Sequence, residues 1–599
     1  MGLARTEGGL AARRRRTGIA AIAVLACSWA LVMQSLGWAQ TSYMAFVKAL
    51  ADGTASIDAY HWETRDKSWI DGHFFSVKAP GMPMLLLPWY EAIRVAGGER
   101  LAREAADRAR SSGAREWTYR GLNVASYGYE SARAARVKRA LEVQAPLVWA
   151  LGLLGTVLPA AGLLLMVRAA AERLRAGLGT ATAMALGGGT LVLPFATQLF
   201  GHVLAALLGF AAFAVLLRER DGPSRLPMVA LAGLLAGLAV VVEYPLAIAG
   251  GIVGLYGVLR ADAVRGSVRA LLRRTGAYAA GVAVGVLPLA AYNLWAFGSL
   301  TTMSYANAVD RQGVTGHQTL GLNDGGFFGI GAPRPRVALE LLLAPRGLLA
   351  LTPVVVLAAA GVWLLARRGR RAEALTIAAV ASAFLVYDSG YWLPFGGGSP
   401  GPRFLVPALP FLALGLVESW RRWPVTTLAL TTCGTVVMLV GTLTYPLIGT
   451  GSLWQWWSRL RSGEMQHTVL AILGLGNGLA PALLVVLGVA GAGVLAARAT
   501  PRAALAGRDA RLALWAVGAW VLVALVLAPV VGERRILGAG AALRGHVNHG
   551  GLPRQIVALA AGAALIALAI AWWSSRRRAR RSVAESVDDE RSAPLTANA

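Results

Sequence analysis

The chain reads as an all-α polytopic membrane protein, a bundle of about 12–14 spanning helices. Three observations predict this. Apolar runs long enough to cross a ~30 Å hydrocarbon core recur from one end to the other, and only helices satisfy the backbone along such runs in lipid. Charged residues make up 15% of the 599 positions against 56% hydrophobic, where a soluble domain holds roughly a quarter charged. Finally, 58 Lys and Arg against 31 Asp and Glu give a net charge of +27, and the surplus sits in short links between apolar runs. That is a positive-inside pattern rather than a nucleic-acid surface. The expected partner is therefore the lipid bilayer, and no nucleic acid.

The elements follow in order. A basic N-terminus, residues 1–17, carries Arg13 to Arg16 and precedes an apolar run at 18–39. That run exceeds a signal-peptide core and reads as a retained first helix. Further runs lie near 146–167, 178–197, 200–217, 226–241, 243–259, 275–297, 347–366, 372–387, 404–418, 425–447, 470–497, 512–531 and 555–573. With Arg13 to Arg16 inside, strict alternation puts the basic links 168–175, 218–225, 260–274, 367–371, 421–422 and 498–511, and the tail 576–581, on one side. Both termini are then cytoplasmic in a plasma membrane. Residues 97–143 are rich in Arg and Lys yet come out external. A span at 82–96 would reverse them, but that run is short, contains Pro83 and Pro88 and ends in Glu91 and Arg94. It reads as a half-buried interfacial helix. Residues 574–599 turn basic, then Ser-, Asp- and Glu-rich, and read as a disordered tail.

On this topology all seven histidines (61, 73, 202, 317, 467, 546, 549) fall on the external face or at external helix ends. So do Asp58, Asp66, Asp310, Asp324, Asp388, Glu243 and Arg403. The active face is expected to be external. There is no GxxxxGK[ST], no GxGxxG with a matching acidic position and no HExxH, so nucleotide-driven chemistry on the cytoplasmic side lacks support. Cys27 and Cys433 lie in apolar runs and suggest neither a disulfide nor a CxxC site. No cofactor is expected.

The first external loop, within 40–145, is the densest in chemistry. Asp58 and Asp66 are candidate general bases toward an acceptor hydroxyl, and Lys78 is a candidate phosphate partner, with His73 beside it; the plainer reading is a solvated acidic loop paired to its own Lys and Arg. His202 opens a helix at an external turn, where it either caps that turn or faces a polar cavity. Glu243, followed by Tyr244 and a proline, is a carboxylate at membrane depth, where charge is costly and faces a cavity or a partner. The loop 298–345 is Gly-, Asn- and Asp-rich and long enough to be functional; Arg346 after it either holds a lipid phosphate or snorkels to headgroups. In 387–407, Trp392 and Arg403 flank a Gly-Gly-Gly run that lets backbone approach a ligand closely.

Together these residues resemble the GT-C superfamily, polytopic glycosyltransferases that take a sugar from a polyprenyl-phosphate carrier. Its members include protein O-mannosyltransferases, the lipid A aminoarabinose transferase and lipopolysaccharide-core transferases. The matching features are a first span, a large external loop with interfacial helices and acidic residues, Lys78-Ala79-Pro80, and the short LLLPWYEAIRVAGG. The stretches RGLLALTP (346–353) and GGGSPGPRF (396–404) look like a bacterial subgroup. The resemblance covers roughly residues 18–420, leaving 421–573 as C-terminal membrane helices. It implies an inverting transfer to an envelope glycan, lipid or protein acceptor, with Asp58 or Asp66 as base and Lys78, Arg403 and Arg346 steadying the lipid phosphate. Metal use varies across the superfamily, and none is assigned. The chain also departs from the pattern. The relatives' catalytic Asp directly follows the first span, and the corresponding Gln40-Thr41-Ser42 has no carboxylate; a second-loop Asp of some relatives falls near His202. Either Asp58 or Asp66 has taken over as base, or the protein is not a transferase of the standard kind. The competing reading is a transporter of a lipid-linked or envelope precursor, although transporter sites lie at the midplane and these polar residues lie in external loops.

Overall fold

The computed structural model describes residues 2–34, 36–111, 130–260, 267–309, 330–448, 453–473, 478–501, 507–536, 543–547 and 551–592. The helices are α1 (Gly2–Ala30), α2 (Trp38–Ala51), α3 (Gly81–Val95), α4 (Gly98–Ser111), α5 (Ser131–Leu174), α6 (Gly179–Gly189), α7 (Val192–Phe195), α8 (Gly201–Arg220), α9 (Leu226–Val242), α10 (Leu246–Val258) and α11 (Val268–Phe297). They continue as α12 (Pro335–Leu343), α13 (Leu348–Leu351), α14 (Val354–Arg367), α15 (Arg371–Gly390), α16 (Leu409–Ala413), α17 (Leu416–Arg422), α18 (Pro424–Thr444), α19 (Trp454–Ser462), α20 (Leu479–Ala499), α21 (Gly507–Val531) and α22 (Arg554–Ser592). The protein is an all-α multi-pass membrane protein. Among the described residues 8 helices are long and apolar enough to cross a membrane, or up to 10 if each bent pair counts as one span. The bent pairs are Pro335–Leu351 with α14, at 95°, and Arg403–Ala413 with α17, at 55°. Each apolar run in the sequence is largely helical, but α9 and α10 are shorter than a full span, and the run 178–197 is broken between the short α6 and α7.

Two expectations need correction. The run 18–39 is not one helix. It stops at Ala30, where Val32 bridges Thr468 and the Met33 N–H bonds the His467 carbonyl at 2.9 Å, and a new helix begins at Trp38. Most residues of that second helix, α2, are buried in protein. The described part of the C-terminal tail is not structureless either, because α22 continues past Trp573 to Ser592. Its Arg, Ala and Glu residues are good helix formers that extend an established helix without a new nucleus.

Glycine sets the helix packing. On α9 and α11 the spacing GxxxG occurs twice, at Gly233 and Gly237 and at Gly281 and Gly285. A Cβ on Gly281 would lie 2.0 Å from the Ala230 carbonyl oxygen, and one on Gly285 would lie 2.4 Å from that of Leu234. Only the missing side chains let these backbones touch.

The arginine-bearing links meet at one end of the bundle. Glu219, buried, accepts from Arg274 at 2.8 and 3.0 Å and pairs with Arg260 at 3.1 Å. Glu418 pairs with Arg175, Arg368 and Arg421, and Asp221 with Arg370 and Arg173. Asp509 accepts from the Val425 N–H and the Thr426 hydroxyl at 2.7 and 2.6 Å. The described parts of the links 168–175, 218–225, 260–274, 367–371, 421–422 and 498–511 therefore share an end, as alternation requires.

At the other end lies a small sheet of order β2-β1-β3, built from β1 (Lys67–Ile70), β2 (His73–Ser76) and β3 (Ala308–Val309). β1 and β2 pair antiparallel with Ile70 opposite His73, leaving Asp71-Gly72 as a two-residue turn. Both turn residues have positive φ, 49° and 87°, the conformation for which Asp-Gly is favoured. A second pair, β4 (Glu533–Ile536) and β5 (Leu543–Val547), precedes α22.

Candidate active site

The candidate site forms where α2, the β1–β2 hairpin, the start of α8, the α9–α10 break and the 3-10 turn Arg403–Ala408 come together. Buried hydroxyls dock the hairpin on α2. Thr41 Oγ1 donates to Thr64 Oγ1 at 3.1 Å, Ser42 Oγ donates to the Asp66 carbonyl at 2.6 Å, and Ser42 and Ser76 share a hydrogen bond of 2.8 Å. Ser76 in turn accepts from the Lys78 N–H at 3.1 Å. Both ends of the hairpin are thus held on one turn of α2, and the Asp66 carboxylate and Lys78 ammonium form a buried ion pair.

One residue after Ser42, Tyr43 is 2% exposed. Its hydroxyl lies beside the Gly201 backbone, and Glu243, Arg403 and Asp66 are the charged groups acting on it. Gly201 opens α8 without a side-chain cap; a Cβ there would lie 2.6 Å from Glu243 Oε1 and 3.0 Å from the Tyr43 oxygen. The carboxylate of Glu243, released from α9 by the break before Pro245, therefore sits at a helix N-terminus, where negative charge is favoured. His202 Nδ1 lies 3.2 Å from Glu243 Oε1, close but without hydrogen-bond alignment. Its ring stacks on Phe200 at 5.5 Å and meets Phe195 and Phe404 edge-on.

Arg403 lies over the rings of Phe404 and Phe200, at 4.9 and 5.5 Å. Its Nε is buried with no hydrogen-bond partner, and among the described residues no carboxylate pairs with its guanidinium. Its charge nevertheless reaches Tyr43, Glu243 and Tyr305. An aromatic wall closes this side. Tyr305 and Tyr391 are hydrogen-bonded through their hydroxyls, Trp392 donates to Tyr305 at 3.2 Å, and Trp392 and Tyr391 pack on Val77 beside Lys78.

The structure brings Asp66, Lys78, His202, Glu243, Trp392 and Arg403 together and leaves the other sequence candidates apart. Asp58 accepts from the Phe74 N–H and bonds His73 Nδ1, both at 2.7 Å, with side chains 41% and 60% exposed. Burial raises the Asp58 pKa, but the Phe74 and His73 bonds outweigh it and hold the carboxyl below its ordinary value. These residues brace the hairpin from outside. Tyr244 lies beside Tyr292 on the other flank of α2. Arg346 is saturated: it bonds both Glu533 oxygens and, from Nη1, the carbonyls of Gly397, Ser399 and Ile448 at 3.0, 3.1 and 2.9 Å. With its donors so engaged, it is a structural clamp rather than a phosphate ligand. The Gly run approaches protein rather than open space, since a Cβ on Gly396 (φ +71°) would lie 2.2 Å from Arg403 Nε. His317, His549, Asp310 and Asp324, and the side chain of His546, lie outside the described residues. Sequence reasoning missed Tyr43, Tyr305 and Tyr391 as site residues, because an isolated tyrosine carries no spacing signal.

No protein-family model matches the chain, and no curated protein matches it. Among solved structures, it is similar to the crystal structure of ArnT from Cupriavidus metallidurans bound to undecaprenyl phosphate, at 14% identity over 80% of this chain and 76% of that one, with a TM-score of 0.44.

Proposed function

We propose that the protein is a GT-C-type membrane glycosyltransferase that moves a sugar from a polyprenyl-phosphate carrier to an envelope glycan, lipid or protein acceptor, on the external face. One observation carries this reading. A carboxylate, an ammonium and a guanidinium without a carboxylate partner, Asp66, Lys78 and Arg403, converge with Tyr43 and the His202–Glu243 pair at the end of the bundle away from the basic links. With those links inside, the site faces outward.

In this reading Lys78 and Arg403 hold the phosphate, and Asp66 is the base. The acceptor oxygen attacks the anomeric carbon while the bond from that carbon to the phosphate oxygen breaks. The phosphate leaves with the electron pair, and the hydroxyl proton passes to the Asp66 carboxylate, whose ion pair with Lys78 loosens as Lys78 turns to the leaving group. No nucleotide is required, because the carrier supplies the activated sugar. The departure at Gln40-Thr41-Ser42 fits this reading: Ser42 holds the Asp66 backbone, which docks a carboxylate-bearing hairpin against the turn of α2 that itself lacks one.

The experiment combines binding and transfer. Purified protein should bind undecaprenyl phosphate by native mass spectrometry, and Lys78→Met and Arg403→Met should each weaken binding at least about tenfold, the scale of a lost charge-assisted contact. Reconstituted protein given a panel of polyprenyl-phosphate sugars should glycosylate envelope acceptors, and Asp66→Asn should not. Normal transfer by both Asp66→Asn and Asp58→Asn would overturn the assignment.

A further inference from the structure

Asp388 is fully buried near the C-terminal end of α15, and neither of its carboxylate oxygens has a hydrogen-bond partner. Burying an ionised carboxylate without donors is costly, so such a group is held by a nearby opposite charge, by a proton, or by both in turn. The segment carrying it packs on that of Arg403, with Tyr391 and Tyr387 meeting Phe404 edge-on at 5.0 and 6.5 Å, and Arg403 is the charged group that acts on Asp388. The two are not joined as a salt bridge among the described residues, and Arg403 Nε is likewise unpartnered. A buried acid and a half-buried cation with an enclosed Nε thus sense each other's charge, while the acid's two oxygens and that Nε have no hydrogen-bond partner. The other titratable or charged groups around them are Tyr387 and Tyr391 from the same segment, Tyr305, the Glu243–His202 pair, and Arg334, whose N–H bonds the Ser389 carbonyl at 3.3 Å.

We propose that Asp388 is a positioning residue for Arg403: it is the counter-charge of the guanidinium while the anion site is empty, and it takes up a proton from bulk water when a phosphate occupies that guanidinium. Phosphate binding and protonation of Asp388 are then linked. The inference rests on reading Arg403 as a phosphate-binding group. The physical cause is like-charge repulsion: a phosphate beside Arg403 neutralises the charge that stabilised the carboxylate and adds a negative one nearby. The proton returns to water when the phosphate leaves.

The test uses the full-length protein in nanodiscs and a farnesyl methyl phosphodiester as probe. Its single charge does not titrate near neutrality, whereas a phosphomonoester has a second ionisation near pH ~6. Wild-type affinity is expected to weaken with rising pH, by up to about tenfold per unit. Asp388→Asn, an uncharged isostere, is expected to bind with no pH dependence and as tightly as wild type does at low pH. Calorimetry of the wild type in two buffers of different ionisation enthalpy is expected to show uptake approaching about one proton per probe bound; this measurement stands even if Asp388→Asn does not fold. A flat wild-type profile, zero proton uptake, an unchanged slope in Asp388→Asn, or a folded Asp388→Asn that fails to bind at every pH would each overturn the inference. A wild type that binds no probe at any pH overturns instead the phosphate reading of the site, and the inference with it.

Discussion

At the scale of single residues, Asp58 and Asp66 look equivalent in the sequence and are separated by their surroundings. Asp58 ties a strand amide and an exposed histidine at the rim, whereas Asp66 is buried against Lys78 within reach of Tyr43 and Tyr305. Asp58→Ala should therefore lower stability by about 1–3 kcal/mol, the range for an unsatisfied strand amide, and leave appreciable transfer; Asp66→Asn should abolish transfer and also lower the melting temperature, because it leaves the Lys78 ammonium without its carboxylate. Thermal unfolding and the transfer assay, run on both variants, check this pair. His61 gives a pH prediction. Its ring is stacked on Phe74 at 4.1 Å with planes 5° apart. Burial, and then the Lys67 charge, push its pKa down to about 4, from an unfolded value near ~6.5. The folded state favours the neutral ring, so this contribution to stability is complete above ~6.5 and is lost as pH falls from there toward 4. Melting temperature should decline across that window, and His61→Gln should flatten the decline; an unchanged slope would remove His61 as its source.

At the scale of elements, two helices and one hairpin decide the geometry. The contact of α9 with α11 depends on glycines whose Cβ atoms would strike backbone, which cannot rotate away as a side chain can. Gly281→Leu should cost about 3 kcal/mol or more, at the upper end of overpacking penalties, and reduce folded yield. Gly276→Leu on the same helix, with nothing within 4 Å of its Cβ, should be tolerated. Comparing folded yields on gel filtration tests the contrast. The GxxxG spacings and the Asp71-Gly72 turn stand in the sequence and carry these contacts. Which helix each glycine would meet, and that the hairpin would dock on Ser42, depends on partners far away in the chain.

At the scale of the whole molecule, α8 and α15 each run from the arginine-rich end to the site. In α8, Gly201 and His202 stand at one terminus and Glu219 at the other; in α15, Glu373 and Asp388 do the same. Twenty residues of helix span ~30 Å, a bilayer core. This separation predicts sidedness. In a background without Cys27 and Cys433, Ala59→Cys should react with an impermeant thiol reagent in intact cells, and Pro223→Cys only after permeabilisation. The reverse pattern would turn the proposed orientation over.

Hydrophobic length and arginine placement alone determined that this is a multi-pass helical protein and which links share an end, because lipid imposes both requirements locally along the chain. Sequence also supplied Asp66, Lys78, His202, Glu243, Trp392 and Arg403 as candidates, since charge, imidazole and indole near membrane depth are conspicuous one residue at a time. Only the tertiary structure decided which of them meet. It spent Arg346 on Glu533 and three carbonyls, set Asp58 and His73 at the rim, brought in Tyr43, and left Asp388 buried beside Arg403 without a donor. Those outcomes depend on distance and hydrogen-bond saturation between segments hundreds of residues apart, which no local pattern encodes.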